Sequence, residues 1–313
     1  MRILFHMPSG DPAPWLADLA RELPQAQVRV WQTGDDAPAD YALVWKPPPE
    51  LLRGRAGLKA VFNLGAGVDA ILQLLRDEPG LLAPQVPVIK LDDAGMGVQM
   101  VEYVTHAVVR RFRRFDEYED LQRRHAWHAL AIPDRTSYRI GVMGLGALGA
   151  RVATALAQYG FPVRGWSNSR KTLDGVSAFA GDAELPGFLD RLNVLVDMLP
   201  LTRETTGILN SANLARLARG AHLINVARGA HVIEADLLEA LDAGQVGWAT
   251  LDVFRDEPLP ADHPFWNSPR ITLTPHVSAL TEREPSVRQI ADRIRSIERG
   301  EQVAGVIDVK RGY

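Results

Sequence analysis

The segment Arg139-Ile-Gly-Val-Met-Gly144-Leu-Gly146-Ala-Leu-Gly149 constrains this chain more than any other. A short apolar run suited to a buried strand meets a G-x-G-x-x-G turn. A helical apolar pattern over 147–158 follows at once. Each glycine has a physical reason. Gly144 permits a tight turn, Gly146 lets a pyrophosphate approach the backbone, and Gly149 lets helix and strand pack closely. Ala147 and Leu148 open the helix, where free N–H groups and the positive dipole end favour phosphate. The plain alternative is a glycine cluster in a surface turn. The strand before it and the helix after it favour dinucleotide binding.

The following strand bears on which dinucleotide. NAD enzymes usually carry an acid about twenty residues on, placed against the ribose hydroxyls. Here Val163-Arg-Gly-Trp-Ser167 ends without one and runs into Asn168-Ser169-Arg170-Lys171. Ser167, Ser169, Arg170 and Lys171 offer donors and positive charge to a 2′-phosphate. The expectation is NADPH, with NADH used more weakly. A solvated basic turn is the bland reading of the same residues.

Short apolar runs alternate with helical patterns along both sides of this motif. Strands are expected at 2–5, 27–31, 41–45, 59–62 and 86–91, and again at 139–143, 162–167, 194–198, 222–225, 247–251 and 271–274. Helices are expected at 14–22, 68–75, 97–125, 147–158, 212–217, 234–243 and 285–299. Such alternation argues for parallel sheets covered by helices. The fold class is therefore α/β, with two Rossmann-like or flavodoxin-like domains. The cofactor domain, 98–280, is expected as an insertion in a discontinuous substrate domain built from 1–97 and 281–313. Two chain crossings would suit a cleft that opens and closes.

Three strand ends beyond the glycine turn carry groups suited to one reaction. Ile224-Asn-Val-Ala-Arg228-Gly229 places a cation past an apolar run, Leu251-Asp252-Val-Phe-Arg-Asp-Glu257 places acids, and Ile271-Thr-Leu-Thr-Pro-His276 places a histidine. Hydride transfer to a keto acid needs a cation for the carboxylate and carbonyl. It also needs an acid for the developing alkoxide and a group that keeps that acid charged. Arg228, His276 and Glu257 supply one of each, since a carboxylate beside histidine stabilises imidazolium. Singly, the histidine reads as a satisfied structural residue and the arginine as a surface ion pair. Together, beyond a dinucleotide turn, they read as an active site.

In combination these segments resemble the D-isomer-specific 2-hydroxyacid dehydrogenases. The likeness spans essentially the whole chain: Asn63-Leu-Gly-Ala-Gly-Val-Asp69, Gly144 to Gly149, Trp166 to Lys171, Leu199-Pro-Leu-Thr202 with Glu204-Thr-Thr-Gly207, Asn225 to Gly229, Leu251 to Pro260, Thr274-Pro-His276 and the tail Arg311-Gly-Tyr313. The resemblance implies reduction of glyoxylate and hydroxypyruvate to glycolate and D-glycerate. It implies that Arg228 binds substrate and that His276, paired with Glu257, donates the proton. Backbone N–H groups around Ala66 and Gly67 would hold the carboxylate, and Trp45, Lys46 and Met96 would lie near the substrate. Leu199, Pro200, Val226, Ala227 and Asp252 would line the nicotinamide side. Trp127 would lie in a dimer arm, which makes a homodimer the expected assembly. Two departures stand out: Ser278 where alanine is frequent, and the missing acid at 167–171. A reductase of a bulkier 2-keto acid, or a dinucleotide-sensing protein without catalysis, remains open on the same fold.

Other partners find little support. The net charge is −3, which argues against a polyanion, and the chain has no cysteine for thiolate or disulfide chemistry. No stretch reaches the roughly 20 apolar residues of a membrane helix, and the start lacks a signal-like apolar run, so a cytoplasmic location is expected. The basic run Arg110-Arg-Phe-Arg-Arg114 is followed closely by Asp116, Glu117, Glu119 and Asp120, as on a solvated helix face or dimer contact rather than a nucleic-acid site. His125 and His128 lack a third ligand nearby in sequence, so no metal is expected. There is no G-x-S-x-G elbow of a serine hydrolase.

Overall fold

The computed structural model describes residues 1–309, 311 and 312. Lys310 and Tyr313 lie outside it, so the last residue of the tail likeness is not placed. The chain divides into two compact units. The first holds Met1–Met96 and the chain from Thr281 onward, and the second holds Gly97–Leu280.

The first unit contains β1 (Arg2–His6), α1 (Ala13–Glu22), β2 (Gln27–Val30), β3 (Tyr41–Val44), α2 (Pro49–Leu52), β4 (Ala60–Asn63), α3 (Asp69–Asp77) and β5 (Val88–Lys90). Its sheet is parallel throughout, in the order β2-β1-β3-β4-β5, the flavodoxin-like arrangement. β3 and β4 are buried along their whole length, which is why they read as unbroken apolar runs rather than alternating ones. The final helix, Arg283–Glu298, packs on α1, where Arg283 bonds Asp18 at 2.6 Å. Beyond that helix the chain runs along β5, with Ile307 N donating to the Val88 carbonyl at 2.8 Å.

The second unit begins with α4 (Met96–Phe112, whose first residue belongs to the first unit) and α5 (Phe115–Arg123). Then follow β6 (Ile140–Met143), α6 (Ala147–Gln158), β7 (Val163–Ser167), β8 (Val176–Ala180), α7 (Gly181–Leu189) and β9 (Val194–Asp197). It closes with α8 (Ser211–Leu214), β10 (Ala221–Asn225), α9 (Glu234–Asp242), β11 (Val246–Leu251) and β12 (Ile271–Leu273); the Arg283–Glu298 helix is then α10. The sheet order is β12-β11-β10-β9-β6-β7-β8, again all parallel. Counted from β6, this is the Rossmann order with one further edge strand. α6 sets Val152, Ala153 and Leu156 against the sheet in a cluster with Val142, Val163 and Val196. Each such buried Val or Leu contributes about 1.5–3 kcal/mol. A charge at Leu156 would undo that face.

Several local features differ from the sequence expectation, the short α2 among them. Residues 97–125 are not one helix: Arg114 takes a left-handed φ of 58° and the chain turns there. The ion pair Arg110–Glu119 requires that turn, since nine residues of straight helix would separate them by about 13 Å. β8 escaped notice because it is a half-exposed edge strand, Val-Ser-Ala-Phe-Ala, with little apolar contrast. α7 escaped because Pro186 and Gly187 read as breakers, yet both lie inside it.

Candidate active site

In a parallel sheet every strand delivers its following loop to the same edge. The loops after β6, β9, β10, β11 and β12 carry Gly144–Gly146, Leu199–Pro200, Val226–Arg228, Asp252–Glu257 and His276 respectively. The sheet reverses its order between β6 and β9, the crevice where such folds bind ligands.

The glycine turn fits a dinucleotide on steric grounds. Gly144 has φ +96°, and a Cβ there would lie 2.6 Å from the Met198 carbonyl oxygen. A Cβ on Gly149 would overlap the Gly144 carbonyl oxygen. Gly146, by contrast, faces open space and caps α6 with no side-chain bond. No acid lies in the first turn of α6. The turn is thus closed where helix meets strand and open where phosphate would approach.

The 167–171 turn is already hydrogen-bonded internally. Ser167 Oγ donates to the Ser169 carbonyl at 2.7 Å. Arg170 donates to the Ala178 carbonyl at 2.7 Å and pairs with Glu184, whose other oxygen accepts from Ala180 N at 2.8 Å. Ser169, Arg170 and Lys171 are exposed. Glu184 was not foreseen, because α7 was not foreseen.

The Arg228 turn is shaped by buried polar groups. Asn225 accepts from Ala227 N at 3.0 Å and donates to the Arg228 carbonyl at 2.9 Å. His231 N donates to that same carbonyl at 3.2 Å. The His231 ring bonds Asp197 at 2.7 Å, with both side chains fully buried. A Cβ on Gly229 would overlap the backbone of Phe254 and Arg255. That contact brings the arginine turn against the loop that carries Glu257. Asn225, Asp197 and His231 had no recognisable role in the sequence, although the first and last flank Arg228.

His276 stands in the left-handed region, with φ +57°, a conformation that costs a non-glycine residue about 1–2 kcal/mol. Asp252 holds it there. Its carbonyl accepts from His276 N at 2.8 Å. Its buried carboxylate accepts from Val277 N and Ser278 N, each at 2.8 Å, and from Thr274 Oγ1 at 2.6 Å. The Asp252 carboxylate, expected beside nicotinamide, therefore also builds the histidine turn. Ser278 takes part through its backbone. Glu257 Oε2 lies 2.8 Å from His276 Nδ1, and its Oε1 accepts from Phe254 N at 3.0 Å. A carboxylate can only accept, so Nδ1 carries the hydrogen and Nε2 is left for exchange with a ligand. The histidine side chain is 46% exposed.

Trp45, Ala66, Gly67 and Met96 lie in the first unit. Asn63, a further buried polar residue, donates to the carbonyls of Gly65 at 3.0 Å and Gly67 at 2.8 Å. Those two bonds fix the carbonyls of the turn. A Cβ on Gly65 would lie 2.6 Å from the Trp45 ring, so only glycine admits that ring. Met96 is buried, with Thr281 Oγ1 3.8 Å from its sulfur. Among the described residues, no three histidine, aspartate or glutamate side chains gather as a metal would require.

Residues 105–278 match the family model described as the D-isomer specific 2-hydroxyacid dehydrogenase, NAD binding domain. The chain belongs to that family and is an oxidoreductase that uses a nicotinamide dinucleotide. It is 53% identical over 313 residues, all of both chains, to a glyoxylate/hydroxypyruvate reductase A of Serratia proteamaculans. A D-isomer specific 2-hydroxyacid dehydrogenase from Xanthobacter autotrophicus, solved with NADPH and MES, superposes with a TM-score of 0.92 at 42% identity, covering 100% of this chain and 99% of that one. An NADPH-dependent glyoxylate/hydroxypyruvate reductase from Sinorhizobium meliloti, solved with NADP and sulfate, gives 0.90 at 37% identity with the same coverage.

Proposed function

We propose that this chain reduces glyoxylate and hydroxypyruvate to glycolate and D-glycerate with NADPH. The observation that carries the chemistry is the 2.8 Å pair of Glu257 and His276 at the sheet edge that also bears Arg228 and the glycine turn. The choice of substrate and cofactor is supported by relatives of those names, alike over the full chain, and by structural neighbours solved with NADPH or NADP.

When bound, the dinucleotide supplies hydride to the carbonyl carbon. Arg228 holds the carboxylate and polarises the carbonyl. Protonated His276 donates from Nε2 to the oxygen as negative charge develops, and Glu257 stabilises the imidazolium beforehand. In oxidation His276 accepts that proton at the same atom. The turn of Ala66 and Gly67 offers backbone N–H groups to a carboxylate, with Trp45 and Met96 as further substrate neighbours. Gly144, Gly146, Ala147, Leu148 and Gly149 cradle the pyrophosphate. Ser167, Ser169, Arg170 and Lys171 receive the 2′-phosphate, and Leu199, Pro200, Val226, Ala227 and Asp252 line the nicotinamide.

The assembly we propose is a homodimer in the cytoplasm. Trp127 is fully exposed in the segment after α5, as a partner contact would require, and no described helix is long and apolar enough to cross a membrane. NADPH and NADH oxidation measured over a panel of 2-keto acids tests the reading. The highest kcat/KM is expected for glyoxylate or hydroxypyruvate with NADPH. Preference for a bulkier keto acid would replace the substrate, and no turnover with any of them would leave a dinucleotide sensor.

A further inference from the structure

Under the His276 turn runs a directed chain of hydroxyl groups. Thr274 Oγ1 lies 2.6 Å from Asp252 Oδ1, and the carboxylate can only accept, so the threonine proton points to it. Tyr103, on α4, lies 2.6 Å from the same threonine oxygen. With the threonine proton committed, the tyrosine must be the donor. Burial raises the Tyr103 hydroxyl to about 12, so it keeps that proton throughout the working range.

The surroundings give the tyrosine a task. Tyr103 and Thr274 line a small cavity of about 90 Å³, together with His222, Thr250 and Thr272. That space has room for water, which would compete for the threonine hydroxyl. Tyr103 fills the acceptor side of Thr274 and so directs its proton onto Asp252. Asp252 in turn makes four bonds around the turn: to Thr274, His276, Val277 and Ser278. These bonds hold His276 in its left-handed conformation.

We propose that Tyr103 is a positioning residue for His276, acting through Thr274 and Asp252, so that α4 sets the aim of the proton donor. The inference rests on the reading of His276 as that donor. Tyr103→Phe removes one hydroxyl and keeps the ring. The single-turnover rate of NADPH oxidation by glyoxylate should fall about tenfold, as expected when a reacting group is displaced by a fraction of an ångström. NADPH affinity should stay within twofold. Thr274→Val should lose as much, Thr274→Ser should recover most of that loss, and Tyr103→Phe with Thr274→Val should be no slower than either alone. Independently of turnover, the imidazole ¹H–¹⁵N signals of His276, assigned with His276→Gln, should shift or broaden in Tyr103→Phe. Unchanged His276 signals, multiplicative losses, or NADPH affinity falling in step with rate would each overturn the proposal. A wild-type protein inert toward keto acids would instead overturn the catalytic reading, and the ring signals would still decide whether Tyr103 holds the histidine.

Discussion

Two glycines of one motif should fail in different ways when alanine replaces them. At Gly149 the new Cβ would overlap the Gly144 carbonyl oxygen and lie 3.0 Å from its carbon, and both atoms are backbone that cannot rotate aside. α6 must then move off β6. Overpacking of this kind costs about 1–3 kcal/mol. For a unit of this size that lowers the melting temperature by roughly 2–12 °C. The shift also withdraws the helix N-terminus from the phosphates, so NADPH binding weakens too. At Gly146 nothing lies within 4 Å, and the residue is extended, at φ −71° and ψ −171°. Alanine fits there with no more than the loss of a favourable cap, a few tenths to about 1 kcal/mol. Its methyl group, however, occupies the space through which pyrophosphate reaches the backbone. Loss of one charge-assisted bond of about 1.5–3 kcal/mol weakens NADPH binding by roughly 10- to 150-fold. Thermal melts of both variants, with fluorescence titration of NADPH, separate the two effects. Wild-type affinity in Gly146→Ala, or a wild-type melting temperature in Gly149→Ala, would refute the steric reasoning.

Three further outcomes follow from the geometry. Arg170→Ala should raise the KM for NADPH about tenfold or more and leave that for NADH nearly unchanged, because one charge-assisted phosphate contact is lost; equal effects on both would return Arg170 to its bond with Glu184 alone. Glu257→Gln keeps the shape but replaces the carboxylate that accepts from His276 Nδ1. The kcat for reduction should therefore fall, by about 100-fold if the proton donor is lost, with NADPH affinity nearly unchanged, and an unchanged kcat would exclude that role. His222, fully buried on β10, is lowered to about 3, first by burial and then by the charge of Arg111. The unfolded chain takes up this proton near 6.5 and the folded one refuses it, so stability is complete above 6.5 and falls as the pH drops toward 3. Urea unfolding from pH 6.5 to 5 should show an acid slope that is smaller in His222→Gln by an amount that rises toward about 1.4 kcal/mol per pH unit at the acid end.

The family likeness was legible because it rests on short local patterns. Gly144–Gly149 needs only a strand, a turn and a helix in succession, and apolar runs such as Tyr41–Val44 and Ile140–Met143 are unbroken because both faces of those strands are covered. The charged ends after them could be read as a set for the same reason. Residues whose role depends on a distant neighbour were silent: Asp197 with His231, 34 positions on, and Tyr103 against a threonine 171 positions away.

By itself, then, the sequence determined the glycine turn, the parallel α/β alternation and the residue types needed for hydride and proton transfer. These follow from backbone sterics and side-chain chemistry, which act within a few residues. Only the tertiary structure decided what each group touches. Strand order alone brings Asp252 beneath His276, lets Gly229 press the Arg228 turn against the Glu257 loop, and ties Arg170 to Glu184. A hydrogen bond has a reach of about 3 Å, and no spacing along the chain encodes which two loops will come that close.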